Sequence, residues 1–411
     1  MDDKSIIREL CKKYTEIANS PVCEETRERY RELNSLKLVR PPVLVFEVPW
    51  GEFNSRDELR PQCADAKYHG IEWFFRSSLY QWKHFRGDWI THPYFRVGAS
   101  ISHTGIGISS SEHLIHNEKG SYAASHSYED VLADEAVLEK MHLPEINYNR
   151  EATENHLAFC DDLIGNVLPV KKSGIGLYFA SWDTISILRG VEAALVDLYD
   201  RPEHIHAIME FLTQVHEREL DRYEELNILD TDQYYLHCTP ACTYELPPKD
   251  LDSDKITARD VWCRAMAQML AVVSPEMHDE FDLQYTQRFF DRCGLSYYGC
   301  CEPLDTKIDM LRKRFKNLRR ISITPWANPE AAAEKIHGDY VLSYKSNPAY
   351  VGVAKFDPAP VIEETERVIS ACLKYNTPCE FIVKDISTVC ARPENLTEWA
   401  ETVNGVISKY F

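Results

Sequence analysis

A (β/α)8 barrel, class α/β, preceded by an N-terminal helical extension is the fold this sequence predicts, on three observations. Short apolar runs alternate with helix-patterned stretches over most of the chain. A length of 411 residues with 44% hydrophobic composition suffices to bury one barrel-sized core. No Gly-rich turn of the kind an open, doubly wound sheet uses to grip a dinucleotide occurs. The expected organisation is residues 1–37 as the extension and residues 38–411 as the barrel, with no tandem repeat and no low-complexity linker.

In the extension, Ile6, Leu10, Tyr14 and Ile17 recur at near-helical spacing within a helical stretch expected over residues 5–36, interrupted at Asn19, Ser20 and Pro21. Residues 42–48 are apolar, partly β-branched and bounded by prolines, which suits a strand buried on both faces. An aromatic-rich helix is expected over 71–85, a strand or hairpin over 95–108, and a polar helical stretch over 127–166 with acids near its start. The alternation then becomes regular. Strands are expected at 175–180, 233–237, 295–299, 321–323, 340–343 and 381–383, and helices at 188–198, 204–226, 258–273, 283–292 and 304–315.

A formal charge of −19 leaves no basic footprint for nucleic acid, and no run approaches the ~20 apolar residues a membrane span needs. The first residues carry acids and no apolar leader, so the expectation is a cytoplasmic protein. Thirteen scattered cysteines then read as reduced thiols, most of them small core residues such as Cys160 and Cys372.

Three passages carry a family resemblance. Residues 188–195, followed by Asp197, Arg201, Pro202, Glu203 and His204, resemble a glycine-containing helix and its D-x-P-E-type turn. Ser274, Pro275, Glu276 and Phe281 resemble an S-P-E-x-F segment leading to a ligand-bearing strand, and Pro393 to Leu396 matches a P-E-N-L helix start. In order and content they are similar to the uroporphyrinogen decarboxylase superfamily. Its decarboxylases carry a basic element after the first strand, whereas Glu47, Trp50 and Glu52 stand here. Acids there would repel a polycarboxylated tetrapyrrole. The resemblance therefore points to the corrinoid-dependent methyltransferase branch.

That branch holds Zn2+ with an H-x-C pair and a later Cys. Here Tyr298 or Gly299 occupies the His place, Cys300, Cys301 and Glu302 follow, and Asp385 falls near the final Cys, with Cys390 the nearby thiol. Two thiols and a carboxylate are donors zinc accepts. Adjacent cysteines in extended chain face opposite ways, so only one of the two easily faces the mouth; buried packing of both is the bland alternative. His237 and Cys238 end another expected strand and are candidate ligands, with His237 also able to polarise a leaving oxygen; a locally bonded His is the alternative. Cys242 completes only a weak C-x3-C pattern. Glu47 and Asp385 are candidate catalytic acids, although Lys384 and Asp385 also read as a rim ion pair. Trp50, Trp182 and Tyr298 are candidates to wall a substrate pocket, against the usual fate of large rings as core.

The resemblance implies a methyl group taken from a methoxylated, aromatic small-molecule donor and passed to the cobalt of a separate corrinoid protein, an O-demethylation of anaerobic metabolism assisted by zinc. Amine or thiol methyl transfer is the alternative within that superfamily. A silent barrel carrying a tetrapyrrole or corrinoid is the alternative outside catalysis. A homodimer stays open.

Overall fold

The computed structural model describes residues 2–53, 56–115 and 125–411. Seven parallel strands form the central sheet: β1 (Val43–Val45), β2 (Leu177–Phe179), β3 (Trp262–Ala265), β4 (Leu295–Tyr298), β5 (Leu318–Ile323), β6 (Val341–Ser346) and β7 (Cys379–Val383). Their order is β1-β7-β6-β5-β4-β3-β2, with Val43 opposite Phe381 at one edge and Cys263 opposite Leu177 at the other. Every neighbouring pair is parallel, which requires the connections to cross outside the sheet, and they do so largely as helices. β5, β6 and β7 are almost wholly buried, as apolar strands covered on both faces must be.

The sheet is strongly curled. Tyr297 of β4 bonds Ser343 two strands away on β6, and Arg320 of β5 pairs with Glu380 two strands away on β7. Flat strands that far apart stand nearly 10 Å from each other, so these contacts need a concave inner face. The expected eight-strand closure is not seen among the described residues: β1 and β2 are the sheet's edges and do not pair. Between them in sequence, Phe95–Gly98 pairs with Val170–Ser173 and Ile101–His103 with Ile146–Tyr148, in separate small sheets.

The expected strand at 233–237 shrinks to an antiparallel hairpin, Tyr235–Leu236 with Thr239–Pro240. Its Thr239 hydroxyl reaches Glu380 of β7 and accepts from Arg320 of β5, so the hairpin enters the concave side. The expected helix over 258–273 is instead β3 flanked by two short 3-10 turns. An apolar run buried on both faces has no period to separate strand from helix. Of the helix expected over 127–166 a short 3-10 helix, Glu135–Lys140, and the α-helix Arg150–Ile164 form, and the one expected over 188–198 is broken at Gly190, whose φ of 82° ends Ser181–Leu188 and starts Val191–Asp200.

The extension is two helices, α1 (Asp3–Ala18) and α2 (Pro21–Asn34). Asp2 caps α1 by accepting from the Ser5 N–H, and Pro21 opens α2 where no N–H is needed. Ile6, Leu10 and Tyr14 pack against Phe75 and Phe95, while Tyr30 and Leu33 join Leu44 and Ile382 beneath the sheet edge. No helix among the described residues is long and apolar enough to cross a membrane.

Candidate functional site

Side chains from separate elements meet at the ends of β1, β4 and β7. Cys300 follows β4 by one turn residue, Gly299, whose φ is 98°. A Cβ at 299 would stand 2.5 Å from Leu304 Cδ1 and 3.1 Å from Ser322 Cβ, so only glycine lets the chain bend there. The Cys300 N–H donates to the Glu302 carboxylate at 2.8 Å and its carbonyl accepts from Ser322 Oγ at 2.7 Å, fixing the thiol's backbone at both ends. Around Cys300 Sγ stand His237 Nε2 at 3.2 Å, Lys384 Nζ at 3.3 Å and Cys301 Sγ at 3.4 Å. Cys301 Sγ in turn reaches Asp385 Oδ2 at 3.1 Å, and the Asp385 N–H donates to Glu47 Oε2 at 3.2 Å.

Three of these residues hold unusual backbone. Glu47, His237 and Asp385 have φ of 49°, 57° and 56°, in the left-handed region that side chains avoid at about 1–2 kcal/mol per residue. His237 is the first of two turn residues in its hairpin, a place that favours glycine. Strain of this kind gathers where a site over-determines the chain, and here it gathers around one sulfur.

Arg264, facing inward from β3, sets the imidazole's tautomer. Its Nη1 lies 2.8 Å from His237 Nδ1, and a guanidinium can only donate. Lys384 Nζ, also only a donor, lies 3.3 Å from Nε2, but the shorter Arg264 contact decides the tautomer, so Nδ1 accepts, Nε2 carries the hydrogen, and that N–H points at Cys300 Sγ. Burial, then the nearby Lys384, Lys345 and Arg264 charges, lower the His237 pKa to about 2, so the ring is neutral. Burial works against the Lys384 ammonium, but Cys238, Cys300, Asp385 and Glu47 outweigh it and raise its pKa. The Cys300 thiol is pulled down by the Cys301 hydrogen bond and by Lys384 against the opposing effect of burial, while Cys301 is pushed up. Burial and then Asp385 raise Glu47; for Asp385 burial is outweighed by its bond to Glu47 and by Lys384, and it stays low. One thiol of lowered pKa thus faces one ammonium and one imidazole N–H.

Of the residues singled out from sequence, the fold brings together His237, Cys300, Cys301, Asp385 and Glu47. The others stand elsewhere. Glu302 is fully buried, and its carboxylate takes the N–H groups of Cys300 and Ala267. Cys238 turns into the apolar cluster of Tyr30, Leu44 and Ile382, and Cys390 turns to the Gly352 carbonyl. Cys242 also borders that cluster and gives its carbonyl to Asn34. Trp182 is buried with its indole N–H on the Phe281 carbonyl, and Trp50 sits in an aromatic cluster with Phe53, Trp73, Tyr80 and Phe85. Tyr298 lies on the outer face of β4, bonded to His278 and Asp282; its neighbour Tyr297 faces inward, with its ring 5.8 Å from His237. Strand alternation dictates that split.

The expected ligand set does not fit a zinc ion. A metal-bound imidazole offers one nitrogen to the ion and donates from the other, the reverse of the Arg264-fixed ring. The Lys384 ammonium, 3.3 Å from both Cys300 Sγ and His237 Nε2, puts a positive charge beside both would-be donors. Among the described residues no three His, Cys, Asp or Glu side chains form a group able to hold a metal. Arg264 and Lys384 are the site residues that sequence reasoning missed, the first inside an expected helix and the second read as a rim ion pair. Along the open edge, a cavity of about 190 Å³ is lined by Tyr178, Gln233, His237 and Arg264.

No protein-family model matches the chain, and no curated protein matches it. Among solved structures, a methyltransferase from Methanosarcina mazei is a neighbour with a TM-score of 0.44 and 10% identity, the match covering 92% of this chain and 98% of that one.

Proposed function

We propose that this chain is a methyltransferase that takes a methyl group from a small methoxylated donor and delivers it to a corrinoid protein docking over the ends of the strands. The observation that carries the reading is the convergence of Lys384 and His237 N–H donors with two thiols at one rim, where residues from β1, β4, β7 and the hairpin meet. The sequence motifs around Ser274 to Phe281 and Pro393 to Leu396 support the same assignment. A partner's reduced cobalt would supply the nucleophile that finally accepts the methyl group.

The chain's own residues answer the difficulty of such a transfer, which is the negative charge left when the bond to methyl breaks. Lys384 and the His237 Nε2–H are fixed donors beside one point, and fixed donors stabilise developing charge without reorganising. Asp385 and Glu47 hold Lys384 from the solvent side at 3.3 and 3.5 Å. Lys384 and His237 thereby take the role the family resemblance gives to a metal. The cavity beside His237 and Arg264 is smaller than the ~300 Å³ at which drug-sized sites begin, which suits a small donor. The soft Cys300 sulfur favours thiol methyl transfer as the second reading.

Anaerobic incubation of the full chain with reduced corrinoid protein and a panel of methoxyaromatics, methylamines and methyl thioethers tests this, read by the cobalt absorption spectrum. The expected result is a spectral change with an oxygen donor. A change with sulfur donors alone selects the second reading, and no change with any donor overturns methyl transfer.

A further inference from the structure

We infer that Cys300 is itself a nucleophile, which takes the methyl group onto its sulfur before the corrinoid protein removes it. The inference rests on the methyl-transfer reading and adds a covalent stage to it. The geometry carries it. Because Arg264 occupies His237 Nδ1, the hydrogen on Nε2 is directed to Cys300 Sγ, at 3.2 Å. Lys384 adds a second donor at 3.3 Å, and two donors facing one thiol leave it the acceptor. Cys301 Sγ stands 3.4 Å away with its own S–H given to Asp385 Oδ2, and the Glu302 and Ser322 bonds hold the Cys300 backbone so that the sulfur stays beside the Lys384 and His237 donors. A thiolate beside a lysine and an imidazole is the arrangement that makes a cysteine reactive.

The chemistry balances in two displacements. In the first, the Cys300 sulfur pair forms an S–CH3 bond, the donor's O–CH3 bond breaks, and its electron pair leaves on an oxygen that takes a proton from solvent. In the second, the S–CH3 bond would break with its electron pair returning to Cys300 sulfur, and the methyl carbon would take the pair that the corrinoid protein's reduced cobalt would supply. Lys384 and His237 then receive the same anion they held at rest, which makes the sulfur a competent leaving group. No further oxidant or reductant is needed.

The test has two arms. In the first, the full chain is treated with limiting iodoacetamide at pH 7 and its cysteines are mapped by mass spectrometry. Cys300, only 3% exposed, is expected to react ahead of the exposed Cys390, and Lys384→Met to slow it about tenfold or more. Cys300 reacting no faster than Cys390 in the wild-type chain overturns the inference without reference to any variant. In the second, the chain meets the methoxylated donor alone, is quenched and digested, and then a parallel sample meets reduced corrinoid protein. S-methylation of Cys300 that the corrinoid protein discharges supports the relay. Corrinoid methylation with Cys300 never modified overturns the relay and leaves the methyl-transfer reading standing. Preferential iodoacetamide labelling with no methyl transfer from any donor overturns that reading, and with it the relay, while Cys300 remains an activated thiolate.

Discussion

Glu302 offers the cleanest way to separate the support of the site from its chemistry. Its fully buried carboxylate accepts two backbone hydrogen bonds, from Ala267 at 3.1 Å and from Cys300 at 2.8 Å, one on each oxygen. Glu302→Gln keeps the shape and one acceptor but turns an NH2 group toward the other backbone N–H. A buried donor stripped of its partner costs about 1–3 kcal/mol. Burial raises the Glu302 pKa, so removing the charge recovers part of that loss and places the expected effect in the lower half of the range. The unfolding midpoint in urea should fall with an unchanged slope, as for a pure stability change. Since one of the two N–H groups belongs to Cys300, iodoacetamide labelling of Cys300 should slow in the folded variant. A Glu302→Gln chain as stable as the parent, with Cys300 labelled at the same rate, would refute the claim that this carboxylate positions the sulfur.

The remaining predictions concern the interior. Glu380→Ala strands a fully buried Arg320 that also binds Thr239 and Asn34, and breaking such a pair from one side should destabilise by about 3–5 kcal/mol in urea unfolding; a loss under about 1 kcal/mol would contradict the pairing. Gly299→Ala puts a methyl 2.5 Å from Leu304 Cδ1 at a φ of 98°, for an expected loss of about 2–4 kcal/mol, and an unchanged midpoint would contradict the bend. Acid should unfold the chain early. Burial, followed by nearby cations, lowers His92 to about 3 and His237 to about 2, so in this range the unfolded chain binds two protons that the folded chain refuses. Stability is then full above pH ~6.5 and falls by about 2.7 kcal/mol per pH unit as pH drops toward 3. The His278–Asp282 pair adds nothing to this slope, because burial lowers the one and raises the other to about 7, leaving one proton in the folded pair as in the unfolded chain. Equal urea midpoints at pH 7 and pH 5 would contradict it.

The strands most legible in the sequence were those with short, β-branched runs, β1, β5, β6 and β7. β3 was not, because Trp262, Ala265, Met266 and Leu270 belong to a mostly apolar stretch, interrupted by Arg264 and Gln268, whose length suits a helix. A signal was present in the same strands and went unread. Arg320 and Ser322, Ser343 and Lys345, and Glu380 and Lys384 put polar residues at even spacing inside apolar runs, which marks one face of each strand as a polar interior. Applied to β3, that pattern singles out Arg264, and on β7 it assigns Lys384 to the inside rather than the rim. The site was legible in part because Glu47, Cys300 and Asp385 lie just past strand ends, where barrels carry chemistry. The hydrogen-bond roles were not, since the Arg264 contact that fixes the His237 tautomer joins residues 27 apart in sequence.

That polar interior explains how the site keeps a charged lysine under cover. Lys384 is 2% exposed, a setting that alone would drive off its proton. One layer deeper, Lys345 is just as buried, yet its pKa is held up by Cys238, Tyr297 and Glu380 against the opposing burial, and Arg320 is matched to Glu380. Lys345 and Arg320 share Glu380, and Cys238 faces both Lys345 and Lys384, so the inward cations are balanced as a group by the acceptors between them. Asp385 and Glu47 balance Lys384 from the solvent side, and Cys300 balances it from within. Without Cys300, Lys384 retains Cys238 and the half-exposed Asp385 and Glu47, the last two screened by water. Cys300 is thus part of what holds the Lys384 pKa up, just as Lys384 helps draw the Cys300 pKa down, and a methyl group placed on that sulfur would weaken both at once. In the proposed relay, that loss favours breaking the S–CH3 bond, which restores the sulfur to Lys384.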